Sequence, residues 1–79
     1  MTDIQKKCME DEINIIQEKI DEATKYMEID NFYGNCSLAK AWSRSVDEYS
    51  DQLKGIKIAL AVLGYHIGWK DNKQFITND

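Results

Sequence analysis

Carboxylates are the residues of this chain whose types and spacing could support catalysis. Glu18 and Asp21, with Glu22 beside them, form one E-x-x-D pair, and Glu48 and Asp51 form a second. Residues three apart share a helix face. Each pair therefore offers the oxygen ligands that hold Mg²⁺ and, through it, polarise a phosphate or activate a water. The other reactive side chains are isolated. The helical period puts no cysteine or serine beside His66, which reads as a surface or interface residue. Cys8 reads as a small buried apolar residue. Cys36, in a loop next to a helix start, is the more reactive thiol but has no neighbour to use it. No Cys-x-x-Cys or paired-histidine spacing suggests zinc.

The stretch Asp47-Glu48-Tyr49-Ser50-Asp51-Gln52-Leu53, taken with Glu18, Asp21 and Glu22, resembles the MazG-like all-α nucleotide pyrophosphohydrolases. Members of that family use E-x-x-E and E-x-x-D helical pairs to bind Mg²⁺ and cleave nucleoside triphosphates. The resemblance implies a metal site at Glu18, Asp21, Glu22, Glu48 and Asp51. It covers about a dozen residues, and the first pair ends in Asp where the family has Glu. The heptad pattern points the other way. All these acids fall at outer positions, so they diverge around a single hairpin and need a partner subunit to converge on a metal. The reading this favours is a solvated charged face on a non-enzyme, with no catalytic residue and no cofactor.

The elements that position these residues follow from the apolar spacing. Met9, Ile13, Ile16, Ile20, Ala23 and Met27 recur at alternating steps of four and three. So do Ala39, Trp42, Val46, Tyr49, Leu53, Ile56, Leu60, Leu63 and Ile67. Two long amphipathic helices follow, in an all-α fold. The spacing predicts helix 1 over about 3–30, with Thr2 as N-cap and Gln5 completing a capping box. A loop over 31–37 contains Gly34, and helix 2 spans about 38–67 with Ser37 as N-cap. Gly68 is the expected C-terminal stop, and Gly64 is its rival one turn earlier. Residues 1–68 thus make an α-hairpin. Residues 69–79 make a short irregular tail, with a turn at Lys70-Asp71-Asn72 and an extended piece around Phe75-Ile76. With the loop near residue 34, antiparallel pairing makes the numbers of facing residues add to about 68, and every level then has an apolar partner.

At 79 residues the core is small, and such chains usually gain from staples or self-association. Cys8 and the loop that holds Cys36 stand about 33 Å apart along a helix, out of disulfide reach. A second apolar stripe off the seam comprises Ile58, Val62, Tyr65 and Trp69, with Ala61 between, joined at the open end by Ile4 and Cys8 and by Ile15 further along. An exposed contiguous patch of that kind predicts association. A flexible tail would lose much entropy in covering it. The expected assembly is a homodimer completing a four-helix bundle, with Ile4, Cys8, Ile58, Ala61, Val62, Tyr65 and Trp69 at the interface. Phe32 and Tyr33 at the loop are expected to cap the core with Trp42, the alternative being a recognition tip.

The formal net charge of −4 is uneven: residues 1–31 hold nine acids against four lysines, and residues 32–79 hold five acids against six bases. This argues against nucleic acid as a direct ligand. Free thiols, no signal peptide and no long apolar run point to the cytoplasm and away from the membrane. The function expected is a small protein–protein interaction or accessory module with an unknown protein partner, of the kind phages and mobile elements carry. The alternative is an acidic inhibitor docking on a basic nucleic-acid-binding enzyme through Asp11, Glu18, Asp21, Glu22 and Glu28. Interspersed Lys19 and Lys25 weaken such a phosphate-like face.

Overall fold

The computed structural model describes residues 2–78; Met1 and Asp79, the outer limits of the expected hairpin and tail, lie outside them. The chain forms α1 (Asp3–Phe32), α2 (Cys36–Val62), β1 (His66–Lys70) and β2 (Lys73–Thr77). It is mostly helical, with a short two-stranded antiparallel sheet after the helical hairpin. None of its described helices is long and apolar enough to cross a membrane.

The capping box at the start of α1 is present. The Gln5 N–H donates to Thr2 Oγ1 at 3.1 Å, and the Thr2 N–H donates to Gln5 Oε1 at 3.0 Å. Both helices stop by the same device. At the end of α1 the Asn35 N–H reaches the Asp30 carbonyl at 2.7 Å and the Gly34 N–H reaches Asn31 at 3.2 Å, with Gly34 at φ +76°. At the end of α2 the Tyr65 N–H reaches Leu60 at 2.9 Å and the Gly64 N–H reaches Ala61 at 3.0 Å, with Gly64 at φ +85°. This is the Schellman pattern, and the left-handed backbone it needs is cheapest at glycine.

The boundaries of the second helix therefore differ from 38–67. It begins at Cys36 with Asn35 as N-cap, so Ser37 lies inside its first turn. It ends at Val62, because Gly64 takes the left-handed conformation that Gly68 was expected to take. Leu63, expected in the core, is the C-cap residue and is 66% exposed. The remaining seam positions are buried or half-buried. Tyr26 stacks on Trp42 with centroids 5.2 Å apart, and Lys19 Nζ sits 5.6 Å from the Tyr49 ring centroid. Both pairs satisfy the antiparallel register expected from the loop position.

The tail is ordered as a β-hairpin. Asp71 and Asn72 have φ +53° and +63°, the two left-handed residues of a type I′ turn, matching the expected turn. The register pairs Ile67 with Ile76, Gly68 with Phe75 and Trp69 with Gln74. Ile76 is fully buried and joins Ile13, Ile16, Leu53 and Leu60 in the core, with Ile67 and Tyr65 packed against it. On the opposite face the Phe75 ring lies over Gly68, where an added Cβ would meet its Cζ at 2.6 Å. The entropy argument against a covering tail fails for a chain already organised as a hairpin by its turn.

Three side chains of α1 tie the hairpin down. Asn14 Oδ1 accepts from the Gln74 N–H at 2.9 Å, and its Nδ2 donates to the Gln74 carbonyl at 3.0 Å. Glu10 Oε1 accepts from the Ile76 N–H at 2.8 Å. Gln74 Nε2 donates to Gln17 Oε1 at 3.2 Å. Gln74 is 2% exposed, so these bonds are shielded from water competition.

Two losses should follow. Ile76→Ala should cost about 2–5 kcal/mol, the usual range for emptying a buried isoleucine site. Asn14→Ala strips two partners from the Gln74 main chain and should cost about 1–3 kcal/mol. Urea denaturation checks both, and wild-type midpoints would show the hairpin to be undocked in solution.

Candidate functional site

The carboxylates that the family resemblance implied as a metal site stay on the surface. Glu18, Asp21, Glu22, Glu48 and Asp51 are all exposed. Among the described residues no three His, Cys, Asp or Glu side chains come close enough together to hold an ion. On the same helix Lys19 Nζ lies over the Tyr49 ring. Asp21 accepts from Gln17 Nε2 at 3.1 Å, so it ends the polar chain that starts at Gln74.

Asp11 and Glu28, the remaining acids of the expected inhibitor face, are exposed as well, and Asp11 is already paired. Lys7 Nζ meets Asp11 Oδ1 at 2.9 Å, one turn apart. The hydrogen bond and charge of Asp11 raise the lysine's pKa above its ordinary value. Glu28 is exposed on the same helix without a described ion-pair partner.

At the loop, Phe32 and Tyr33 do not cap the core. They are 83% and 72% exposed and pack edge to face on each other at 5.1 Å. Trp42 has Tyr26 as its partner instead, which leaves the loop pair facing solvent. Cys8 and Cys36 are free and exposed, so Cys8 is not the buried apolar residue expected. His66 is exposed at the start of β1.

The open end of the helical pair is an apolar concave surface. Ile4, Gln5, Cys8 and Met9 from α1 face Leu63 and Tyr65 from the α2–β1 connection across a groove of about 640 Å³. Ile4 is 77% exposed and Val62 82%, with Ile58 also exposed on the outer side of α2. Ala61 is exposed beside them. The stripe expected at helical spacing from Ile58 to Trp69 is interrupted, because the helix ends at Val62. Beyond that point Tyr65 turns toward the core, and Trp69 joins Ile15 in a separate cleft beside α1.

Asn14, Glu10 and Gln74, which position the hairpin, were not singled out by spacing or charge. The available signal was Asn14 itself, a poor helix former between Ile13 and Ile15 in the middle of a long helix. Compared with known protein families, curated proteins and solved structures, the chain matches none.

If the acidic faces are solvated surface, neither Mg²⁺ nor Mn²⁺ should raise the melting temperature. Replacing Glu18, Glu48 and Asp51 together by their amides should shift stability by no more than about 0.5 kcal/mol per site. A metal-dependent rise in melting temperature that this triple variant abolishes would restore the metal site.

Proposed function

We propose that this protein is a small non-catalytic interaction module that works as a homodimer joined at the open end of its helical hairpin. The observation that carries this reading is the apolar groove between Ile4, Cys8 and Met9 on one side and Leu63 and Tyr65 on the other, flanked by exposed Val62 and Ile58. Met9 and Tyr65 also pack against the core of the single chain, but Ile76 already closes it, so the exposed Ile4, Cys8, Ile58, Val62 and Leu63 are surplus to it. Contiguous apolar surface of this kind is uncommon on a monomer unless something covers it. A second copy brings the same ordered surface with little further loss of chain entropy, and two-fold pairing is the commonest closed assembly. Joined in this way, the helical pairs make a four-helix assembly whose outer faces, including the exposed Phe32–Tyr33 tip, remain available to other proteins.

Sedimentation equilibrium tests the assembly. The wild-type chain should run as a dimer at high micromolar concentration. Val62→Asp and Leu63→Asp place a charge on exposed positions, so they should give folded monomer with the helical circular dichroism retained. A wild-type chain that stays monomeric throughout that range would refute the reading.

A further inference from the structure

We infer that the two copies join main chain to main chain through β1, edge to edge and antiparallel, about a two-fold axis beside Gly68. This rests on the dimer reading above and adds a second contact with its register, along the strand that continues directly from Tyr65 of the groove.

The two edges of the sheet are treated unequally. Lys70 and Lys73 pair directly across a two-residue turn, so the main-chain groups of Lys70, Gly68 and His66 bond to those of Lys73, Phe75 and Thr77. The N–H and C=O groups of Gln74 and Ile76 then point out of the sheet on the β2 side, and those of Ile67 and Trp69 point out on the β1 side. On the β2 side, Asn14 and Glu10 occupy the edge. On the β1 side, no hydrogen bond from another described element reaches the main chain of Ile67 or Trp69. An open edge of this kind is a template for another strand.

A second copy fits that template by its own symmetry. Ile67 and Trp69 flank Gly68 evenly. A two-fold rotation beside Gly68 sets each Ile67 opposite Trp69 of the partner subunit, with every outward donor meeting an acceptor. Trp69, 59% exposed in one chain, gains an apolar cross-strand neighbour in that register. The glycines themselves fall opposite each other at a non-hydrogen-bonded position, where the strands come closest and a missing side chain costs nothing.

Cysteine cross-linking tests the register. In a chain carrying Cys8→Ser and Cys36→Ser, the pair His66→Cys and Lys70→Cys should form a disulfide-linked dimer under diamide, because residue 66 of each copy faces residue 70 of the other. The two positions lie about 13 Å apart along one strand, so they cannot bond within a chain. Each single cysteine variant should stay unlinked, since neither position faces itself. In the unmodified protein the amides of Ile67 and Trp69 should exchange about tenfold more slowly once nine-tenths of the chains are dimeric. A dimer by sedimentation in which the double variant fails to link, links no better than the singles, or leaves those amides unprotected would overturn strand pairing and leave the dimer standing. A wild-type monomer would overturn both.

Discussion

The left-handed turn at Gly64 decides what the rest of the chain can do. Apolar heptad positions continue through Leu63 to Ile67, so nothing in the seam itself would stop α2 at Val62. Had the helix continued, Ile67 would have extended the seam past the first residues of α1, where there is nothing to pair with it. The stop instead releases the chain to fold back as a strand, and Tyr65 and Leu60, joined by the closing hydrogen bond, both pack against the same core. That apolar contact across the last turn commonly accompanies a Schellman ending. A β-carbon at φ +85° would be strained whatever the space around it, and Gly64 has open space. The constraint is therefore one of backbone conformation and not of packing.

Once the chain turns back, its strands need partners. A two-stranded ribbon is marginal alone in water, and β2 gains its support from a helix instead of a third strand. Asn14 presents an amide that both donates to and accepts from Gln74, as a neighbouring peptide unit would. Its Nδ2 also donates to the Glu10 carbonyl at 2.9 Å, so the side chain is held by its own helix while it holds the strand. Glu10 takes the next outward N–H along, from Ile76. One turn of α1 rises about 5.4 Å and two strand residues span about 6.6 Å, which is why side chains four apart on the helix can serve residues two apart on the strand.

Much of this was legible in the residues, and what was not has a physical reason. The seam from Met9 to Leu60, the capping box at Thr2 and Gln5 and the turn at Asp71-Asn72 all follow from spacing and turn chemistry, and all stand in the structure. The end of α2 was ambiguous because Ile67 satisfies two periods at once. It is the next heptad position after Leu63, and it also alternates with Tyr65 and Trp69 as a strand residue would. Either way it faces the core, so the apolar pattern cannot separate the readings. The contact with β2 was hidden for a different cause: its determinants are polar, and a search for apolar periods passes over Asn14, Gln17 and Gln74. At the surface, the acids of α1 and α2 show that E-x-x-D spacing places carboxylates on a helix face without saying which way that face looks. Only the packing of both helices shows them turned to solvent.

Burying Gln74 is the least economical choice in the core, and it explains how the hairpin finds its place. Its Oε1 has no hydrogen-bond partner among the described residues, a state that costs about 1–3 kcal/mol relative to a satisfied amide. An apolar residue there would pack without that loss, but it would also remove the reason for one docking over another. Apolar contacts alone tolerate sliding, because Ile67, Ile76 and Trp69 share one face and alternate evenly. Moving β2 by two residues along α1 keeps the same face inward. It would separate Gln74 from Asn14 and Gln17 and carry Ile76 off Glu10, leaving several polar groups shielded and unpaired. The polar chain from Asp21 through Gln17 to Gln74 thus selects the register, while Ile76 supplies most of the attraction. The same selection keeps β2 bound to α1 in preference to a foreign strand, so that only β1 is left with an edge to offer.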